Sequence, residues 1–319
     1  MTTDQLTYLV FGIVLLIAVV LDLGLLSKSS TEISIKKALY QTLFWVGLAF
    51  AFFGFVWYEY GKAPALEYIS AYLMEWSLSI DNIFVFILIF TFFRIRKDHV
   101  ARALLIGILM AIIFRVIFIT VGVVLVERFH WLLYVFGAFL VYTGVKIFAV
   151  NQEDEFDPST SPVYKFLNRF LPIIHEDVGG KLTVKKNGKR YYTNMFLVIV
   201  MLATTDIVFA LDSIPAVFAI VTESPNKELI IYTSNIFAVL GLRSLYFLLK
   251  GAVNKFQYLQ QGIAIVLVFI GVKMLVPLVF KNFHVPVTIS LMVIVICLAG
   301  SILYSIQEAR RRKDENDLI

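Results

Sequence analysis

Cysteine is almost absent from this 319-residue sequence. Cys297 stands alone inside an apolar run, so the chain has neither a disulfide framework nor a CxxC metal or redox motif. Only four histidines are scattered along it, which argues against a zinc enzyme. No Walker-type phosphate loop occurs, so any ATP drive would need a separate subunit. No nucleophile–base constellation is visible, and no enzymatic activity is expected. Charge is scarce as well: 16% of residues are charged, against about 25% in soluble domains. Hydrophobic residues make up 60% of the chain, and mean hydropathy is +0.84. Such a chain is too apolar to fold as a water-soluble globule. Its net charge of +5 therefore points to cationic loops on one membrane face, with no nucleic-acid partner.

A membrane-crossing helix needs roughly 20 mostly apolar residues. Nine stretches qualify: 6–26, 39–57, 66–90, 103–126, 131–150, 194–220, 230–250, 260–280 and 287–306. The first has no Lys or Arg before it and no small-x-small cleavage site after it, so it reads as a retained span rather than a signal peptide. Asp22 within it reads as a local polar contact near a helix end. The predicted fold is all-α, a polytopic transmembrane bundle of about nine spans forming a single membrane domain over 1–319.

Basic residues set the orientation. One set of loops holds Lys28, Lys36 and Lys37, then Arg94, Arg96, Lys97 and Arg102, then seven basic residues between 151 and 193. Lys250, Lys255 and the tail Arg310-Arg311-Arg312-Lys313 bring that set to 20. The alternate loops hold only Lys62, Arg128, Lys227 and Lys281. This alternation predicts an N-terminus outside and a cytoplasmic C-terminus.

The one long loop, 151–193, opens on the acidic run Asn151 to Glu155. Val163, Phe166, Leu167, Phe170 and Leu171 then stand at helical spacing with Lys165 and Arg169 between them, as in a short helix on a membrane surface. Asn187-Gly188 predicts a β-hairpin across 182–192. The loop reads as a structured connector.

An internal repeat is the most informative feature. The third span carries Glu75, then Asp81-Asn82-Ile83 six residues on; the sixth carries Asp206, then Asp212-Ser213-Ile214. The fourth and seventh spans hold one arginine each, Arg115 and Arg243. The fifth and eighth share Gly-Val-Lys at 144–146 and 271–273. Matched residues lie 131, 128 and 127 apart. Each unit has three spans, so the second copy (194–280) must enter the membrane from the side opposite the first (66–150). Many secondary transporters use such an inverted repeat, with the site at mid-membrane between the copies.

A charge at the centre of a span costs about 2.5–3.5 kcal/mol on insertion scales, so it calls for a partner or a purpose. Residues seven apart share a helix face, which pairs Glu75 with Asn82 and Asp206 with Ser213. Pro215 predicts a kink near Leu211 that frees carbonyl oxygens. Four carboxylates with Asn82 and Ser213 then form a hard-oxygen site suited to Mn²⁺, Ca²⁺ or Mg²⁺. Arg115 and Arg243 read as partners that neutralise the acids when the site is empty. The alternative is a set of structural ion pairs, because four intramembrane acids face four bases. Lys146 and Lys273 read as snorkelling toward an interface. Ser234 and Asn235 either line the cavity or bond a neighbouring helix.

These residues carry a resemblance. Glu75-x5-Asp81-Asn82-Ile-Phe-Val, Asp206-x5-Asp212-Ser213-Ile-Pro-Ala, Thr233 to Ala238, Leu240-Gly-Leu-Arg243 and Phe269 to Lys273 resemble the TerC family of integral membrane proteins, in its longer, nine-span Alx-type branch. The resemblance covers most of the chain and includes the Lys-Asn-Gly hairpin at 186–188. It implies a multi-pass bacterial inner-membrane protein that exports manganese, with the two Asp-containing helices forming the ion site. Taken with the acids, it gives the expected function: a secondary transporter moving Mn²⁺ out of the cytoplasm, with proton exchange as one coupling. Mn²⁺ is then the transported substrate, with Ca²⁺ a second candidate, and no permanently bound cofactor is expected. Asp81 and Asp212 would be central ligands, Glu75 and Asp206 ligands or proton-exchanging acids. Two other classes stand beside it. One is a membrane-embedded assembly or insertion factor with structural carboxylates; the other is a tellurite or oxyanion resistance protein binding its anion at the arginines.

Overall fold

The computed structural model describes residues 9, 11–14, 16, 34–149, 158–175, 178–186, 188–222, 224, 226–250, 258–280 and 285–316. The side chains of Asp81 and Asp212 lie outside the described residues, as do Asp22, most of the span predicted over 6–26 and the acidic run 151–157.

Among the described residues, ten α-helices and a small sheet follow in order: α1 (Ile35–Tyr60), α2 (Lys62–Phe92), α3 (Lys97–Arg128), α4 (Leu132–Ala149), α5 (Pro162–Phe170), β1 (Ile173–Ile174), β2 (Thr183–Lys186), β3 (Lys189–Thr193), α6 (Asn194–Ile220), α7 (Lys227–Leu240), α8 (Leu242–Leu249), α9 (Leu259–Val279) and α10 (Val287–Asn316). Among the described residues seven stretches are long and apolar enough to cross a membrane, with α7 and α8 counted together as Lys227–Leu249. An eighth, Leu132–Ile147, is shorter. Phe11 from the first predicted span packs on Phe52 and Phe237, with ring centroids 6.0 and 5.7 Å apart.

Local chemistry sets the helix ends. Ser34 caps α1 by accepting a hydrogen bond from the Lys37 amide at 3.3 Å. Gly61, at φ +87°, divides α1 from α2 in a conformation that side chains resist. The predicted hairpin is present: β2 and β3 pair antiparallel from Thr183–Tyr192 to Lys186–Lys189, with Gly188 at φ +75°. Asn187 lies outside the described residues. Sequence periodicity did not suggest β1, a two-residue strand parallel to β3. The surface helix is α5, with Leu167 buried and Phe166 and Phe170 exposed.

The bundle has an apolar core with a minority of buried polar and charged side chains, and its outer surface is apolar too. Phe44, Tyr58, Ile117, Tyr142 and Ile296 lie exposed on its outer helices, where lipid is the solvent. The α7–α8 stretch is almost wholly buried and forms the axis of the bundle. It breaks at Gly241, whereas a continuous span was expected there.

Packing follows the repeat. The first helices of the two units, α2 and α6, pack together, as do the third helices, α4 and α9. The cross pairs α3 with α6 and α2 with α7 complete the pattern. The α4–α9 seam shows the relation atom by atom. A Cβ on Gly271 would lie 2.6 Å from the Gly137 carbonyl oxygen and 2.8 Å from the Val141 amide nitrogen. A Cβ on Gly144 would lie 2.8 Å from the Ala264 carbonyl oxygen and 3.1 Å from the Val268 amide nitrogen. Adding 127 to 137, 141 and 144 gives 264, 268 and 271, so each contact is the repeat image of the other. Contacts that run 137 to 271 and 144 to 264 also make the two helices antiparallel, as an inverted repeat requires.

Because backbone atoms face these glycines, Gly271→Ala should force α4 and α9 apart and destabilise the protein by about 1–3 kcal/mol. Gly54 has nothing within 4 Å of its Cβ direction, so Gly54→Ala should leave the thermal midpoint in detergent unchanged. Thermal unfolding of the two variants side by side checks this.

Candidate ion site

Glu75 sits near the middle of α2 and Asp206 near the middle of α6, and both are buried. Arg115 of α3 lies between them. Its Nη1 donates to Glu75 Oε1 in a close ion pair. Its Nη2 donates to Asp206 Oδ1 at 3.3 Å, and Nη1 also donates to Asn235 Oδ1 of α7 at 3.2 Å. The guanidinium therefore joins both units of the repeat through four different helices. Arginine suits this place because its planar fork presents several donors at fixed angles.

The matched acids are joined through an arginine. Of the two arginines, Arg115 takes both acids. Arg243 is buried at the start of α8, just past the break at Gly241. Asn235 bonds a neighbouring helix, one of its two expected roles: it accepts from Arg115 of α3 and donates from Nδ2 to the Ile231 carbonyl at 2.9 Å. Ser234 is buried and donates back to the same carbonyl at 3.2 Å. Asn82 and Ser213 are buried, and Ser213 lies next to the Glu75 carboxyl group.

Several buried polar atoms keep unused capacity. Glu75 Oε2, Asp206 Oδ2, Ser213 Oγ, Ser79 Oγ and Asn82 Nδ2 have no hydrogen-bond partner. A cavity of about 10 Å³ touches Asp206 and is walled by Gly107, Ala111, Leu202 and Leu242 among others; that is room for roughly one water. Among the described residues no group of three or more His, Cys, Asp or Glu side chains gathers closely enough to hold a metal. The expected set of four carboxylates is thus described only through Glu75 and Asp206.

Two expectations change in detail. Helix α6 runs unbroken through Pro215, and Leu211, the residue whose carbonyl Pro215 frees, faces outward at 51% exposure. Lys146 is exposed, but Lys273 turns inward enough to donate to Ser290 of α10 at 3.1 Å.

One buried acid escaped the sequence reading. Glu67, at the start of α2, accepts from the amides of Thr222 at 2.7 Å and Ser224 at 3.2 Å. It ties α2 to the turn that leaves α6. An acid so near a span's end reads as interfacial, and only the fold shows what covers it.

The whole region from α2 to the α10 tail, residues 60–313, matches the integral membrane protein TerC family. The chain belongs to the TerC family. An uncharacterized membrane protein of Myxococcus xanthus is 41% identical over 290 residues, 91% of this chain and 88% of that protein. Proteins named Alx, described as candidate membrane-bound redox modulators, are 40% identical in Salmonella typhi and 39% in Escherichia coli K12, each over 293 residues and 89% of this chain. They are covered over 88% and 89% of their own lengths. No solved structure matches the chain. In this TerC protein, Glu75, Arg115, Asp206 and Asn235 all fall inside the matched region.

Removing one side of a buried ion pair leaves the other charge stranded, at about 3–5 kcal/mol. Arg115→Ala should therefore lower membrane abundance and the thermal midpoint sharply. Adding Glu75→Gln and Asp206→Asn to it should recover most of the loss. Quantitative immunoblotting and thermal unfolding of the single and triple variants check both outcomes.

Proposed function

We propose that this TerC protein is a secondary transporter that exports Mn²⁺ from the cytoplasm across the inner membrane, with protons as the coupling ion. The observation that carries the reading is the meeting of Glu75 and Asp206, matched acids of the two repeat units, on one guanidinium in the membrane interior. Arg115 holds the place that a transported cation would take. A divalent ion entering there displaces the guanidinium and gains Glu75 Oε2, Asp206 Oδ2 and Ser213 Oγ as oxygen ligands. Asp81 and Asp212 lie one helical step from Asn82 and Ser213 on the same helices and are the central ligands of this reading. Oxygen-only ligation suits Mn²⁺, Ca²⁺ and Mg²⁺ alike; the family resemblance selects manganese.

The repeat suggests how access alternates. Exchanging the two units maps Glu75 and Asp206 onto each other and Arg115 onto Arg243. In the opposite-facing state Arg243 takes over the two carboxylates that Arg115 now holds, so the empty site stays neutralised on both sides. Positive loops inside place the short 94–97 turn and the 158–193 connector in the cytoplasm. The Alx relatives' description as redox modulators has no thiol counterpart here, because a single Cys297 cannot form an intramolecular disulfide. A membrane assembly factor is the second reading, favoured by the contacts of both Arg115 terminal nitrogens with Glu75, Asp206 and Asn235. There the same ion pairs are a permanent clasp.

Mn²⁺ uptake into inside-out vesicles, with and without a pH gradient, separates the two. Wild type should load Mn²⁺, the gradient should change the rate, and Asp81→Asn and Asp212→Asn at matched abundance should each abolish uptake. Well-folded wild type that moves neither Mn²⁺ nor Ca²⁺ would sink the transporter reading in favour of the assembly factor.

A further inference from the structure

A second cavity, of about 310 Å³, lies where the end of α2 meets the start of α6, well away from Arg115. Phe92, Phe93, Arg94, Tyr164, His175 and Asn194 line it, and its volume is at the lower end of ligand pockets.

Arg94 is the informative residue. The Arg94 amide donates to the Thr91 carbonyl at 3.1 Å and the Ile95 amide to the Phe90 carbonyl at 3.2 Å. That pair of bonds is a Schellman cap, and Arg94 occupies its left-handed position at φ +50°. Glycine is the residue that this position favours, because a Cβ there is strained. Arg94 is the only non-glycine residue with positive φ among the described residues. A basic charge for the helix end is already supplied by Arg96 and Lys97, so charge at the C-terminus does not explain the choice. The Arg94 side chain is exposed at the pocket and forms no ion pair with a described residue.

The remaining wall has matching chemistry. Asn194 is buried; its Nδ2 donates to the Phe93 carbonyl at 3.1 Å, and its Oδ1 has no partner. The Tyr164 ring stands edge-on to Phe92 at 6.0 Å and tilted against Phe93 at 5.8 Å. Arg94, His175 and the Tyr164 hydroxyl are donors, while Asn194 Oδ1 asks for one. A phosphate ester that also carries a hydroxyl satisfies all four. Phe92, at the end of α2, lines the pocket and is exposed, and α5, which brings Tyr164 to it, exposes Phe166 and Phe170 with Lys165 and Arg169 beside them. Such a helix lies at the level of lipid headgroups.

We propose that this pocket binds the phosphate of an anionic phospholipid with a hydroxylated headgroup, with Arg94 and His175 on the phosphate and Asn194 on the hydroxyl. The proposal is independent of what the interior site transports.

The test uses delipidated full-length protein in detergent, titrated with phosphatidylglycerol, phosphatidylcholine or soluble glycerol 3-phosphate, read by native mass spectrometry and thermal shift. Phosphatidylglycerol should bind and raise the thermal midpoint, and phosphatidylcholine should not. Arg94→Gly should weaken phosphatidylglycerol binding at least tenfold while leaving the ligand-free midpoint equal or higher, because the cap is relieved. His175→Ala should weaken it several-fold. Glycerol 3-phosphate binding as tightly as the lipid, and lost in Arg94→Gly, keeps the phosphate site but assigns it to a soluble ester. Arg94→Gly binding like wild type, or equal affinity for the two lipids, overturns the proposal.

Discussion

A guanidinium cannot be left alone in an apolar interior, and Arg115 is wholly buried. Its contacts with Glu75, Asp206 and Asn235 join α3 to α2, α6 and α7 at one point. Each carboxylate is likewise expensive to strand there. The three charges therefore exist in the bundle only as a group, and the helices that carry them must converge. The burial of the α7–α8 stretch follows from this. It brings Asn235 to the guanidinium, and no lipid-facing helix has a reason to carry the buried run Thr233-Ser234-Asn235.

The convergence has a symmetry that the charges alone would not require. Gly137 against Gly271 and Gly144 against Ala264 are one contact written twice, once for each unit. In a membrane no hydrophobic effect drives helices together, so close approach over small residues carries the association. The α4–α9 seam thus holds the two units back to back, while α2 and α6 meet at the charges. One seam is apolar and tight, and the other is polar with unused hydrogen-bonding capacity.

The features that the sequence made legible are those governed by local periodicity. Long apolar runs placed the spans, Asn187-Gly188 placed the hairpin, and Phe166 and Phe170 at helical spacing placed α5. The repeat was legible too, because matched residues kept their order at near-constant offsets. What depends on distant partners was not. Nothing in the pattern around Glu67 foretells the Thr222 and Ser224 amides that receive it. Nor does spacing say which of Arg115 and Arg243 takes both acids, since by the repeat they are equivalent. The break at Gly241 was invisible for a related reason: its neighbours on both sides are good helix formers, and the sequence on either side reads as one run.

That equivalence fails at one described position with consequences for the site. Asn235, which accepts from Arg115, corresponds 128 residues earlier to Gly107. Glycine supplies no side chain, and the space is in part empty: Gly107 walls the small cavity that touches Asp206. Glu75 and Asp206 each keep one unpartnered oxygen, but of the two only Asp206 borders that small hollow. A perfectly two-fold site would treat its two sides alike. Asparagine at 235 against glycine at 107 makes the two sides unequal while leaving the helix scaffold symmetric.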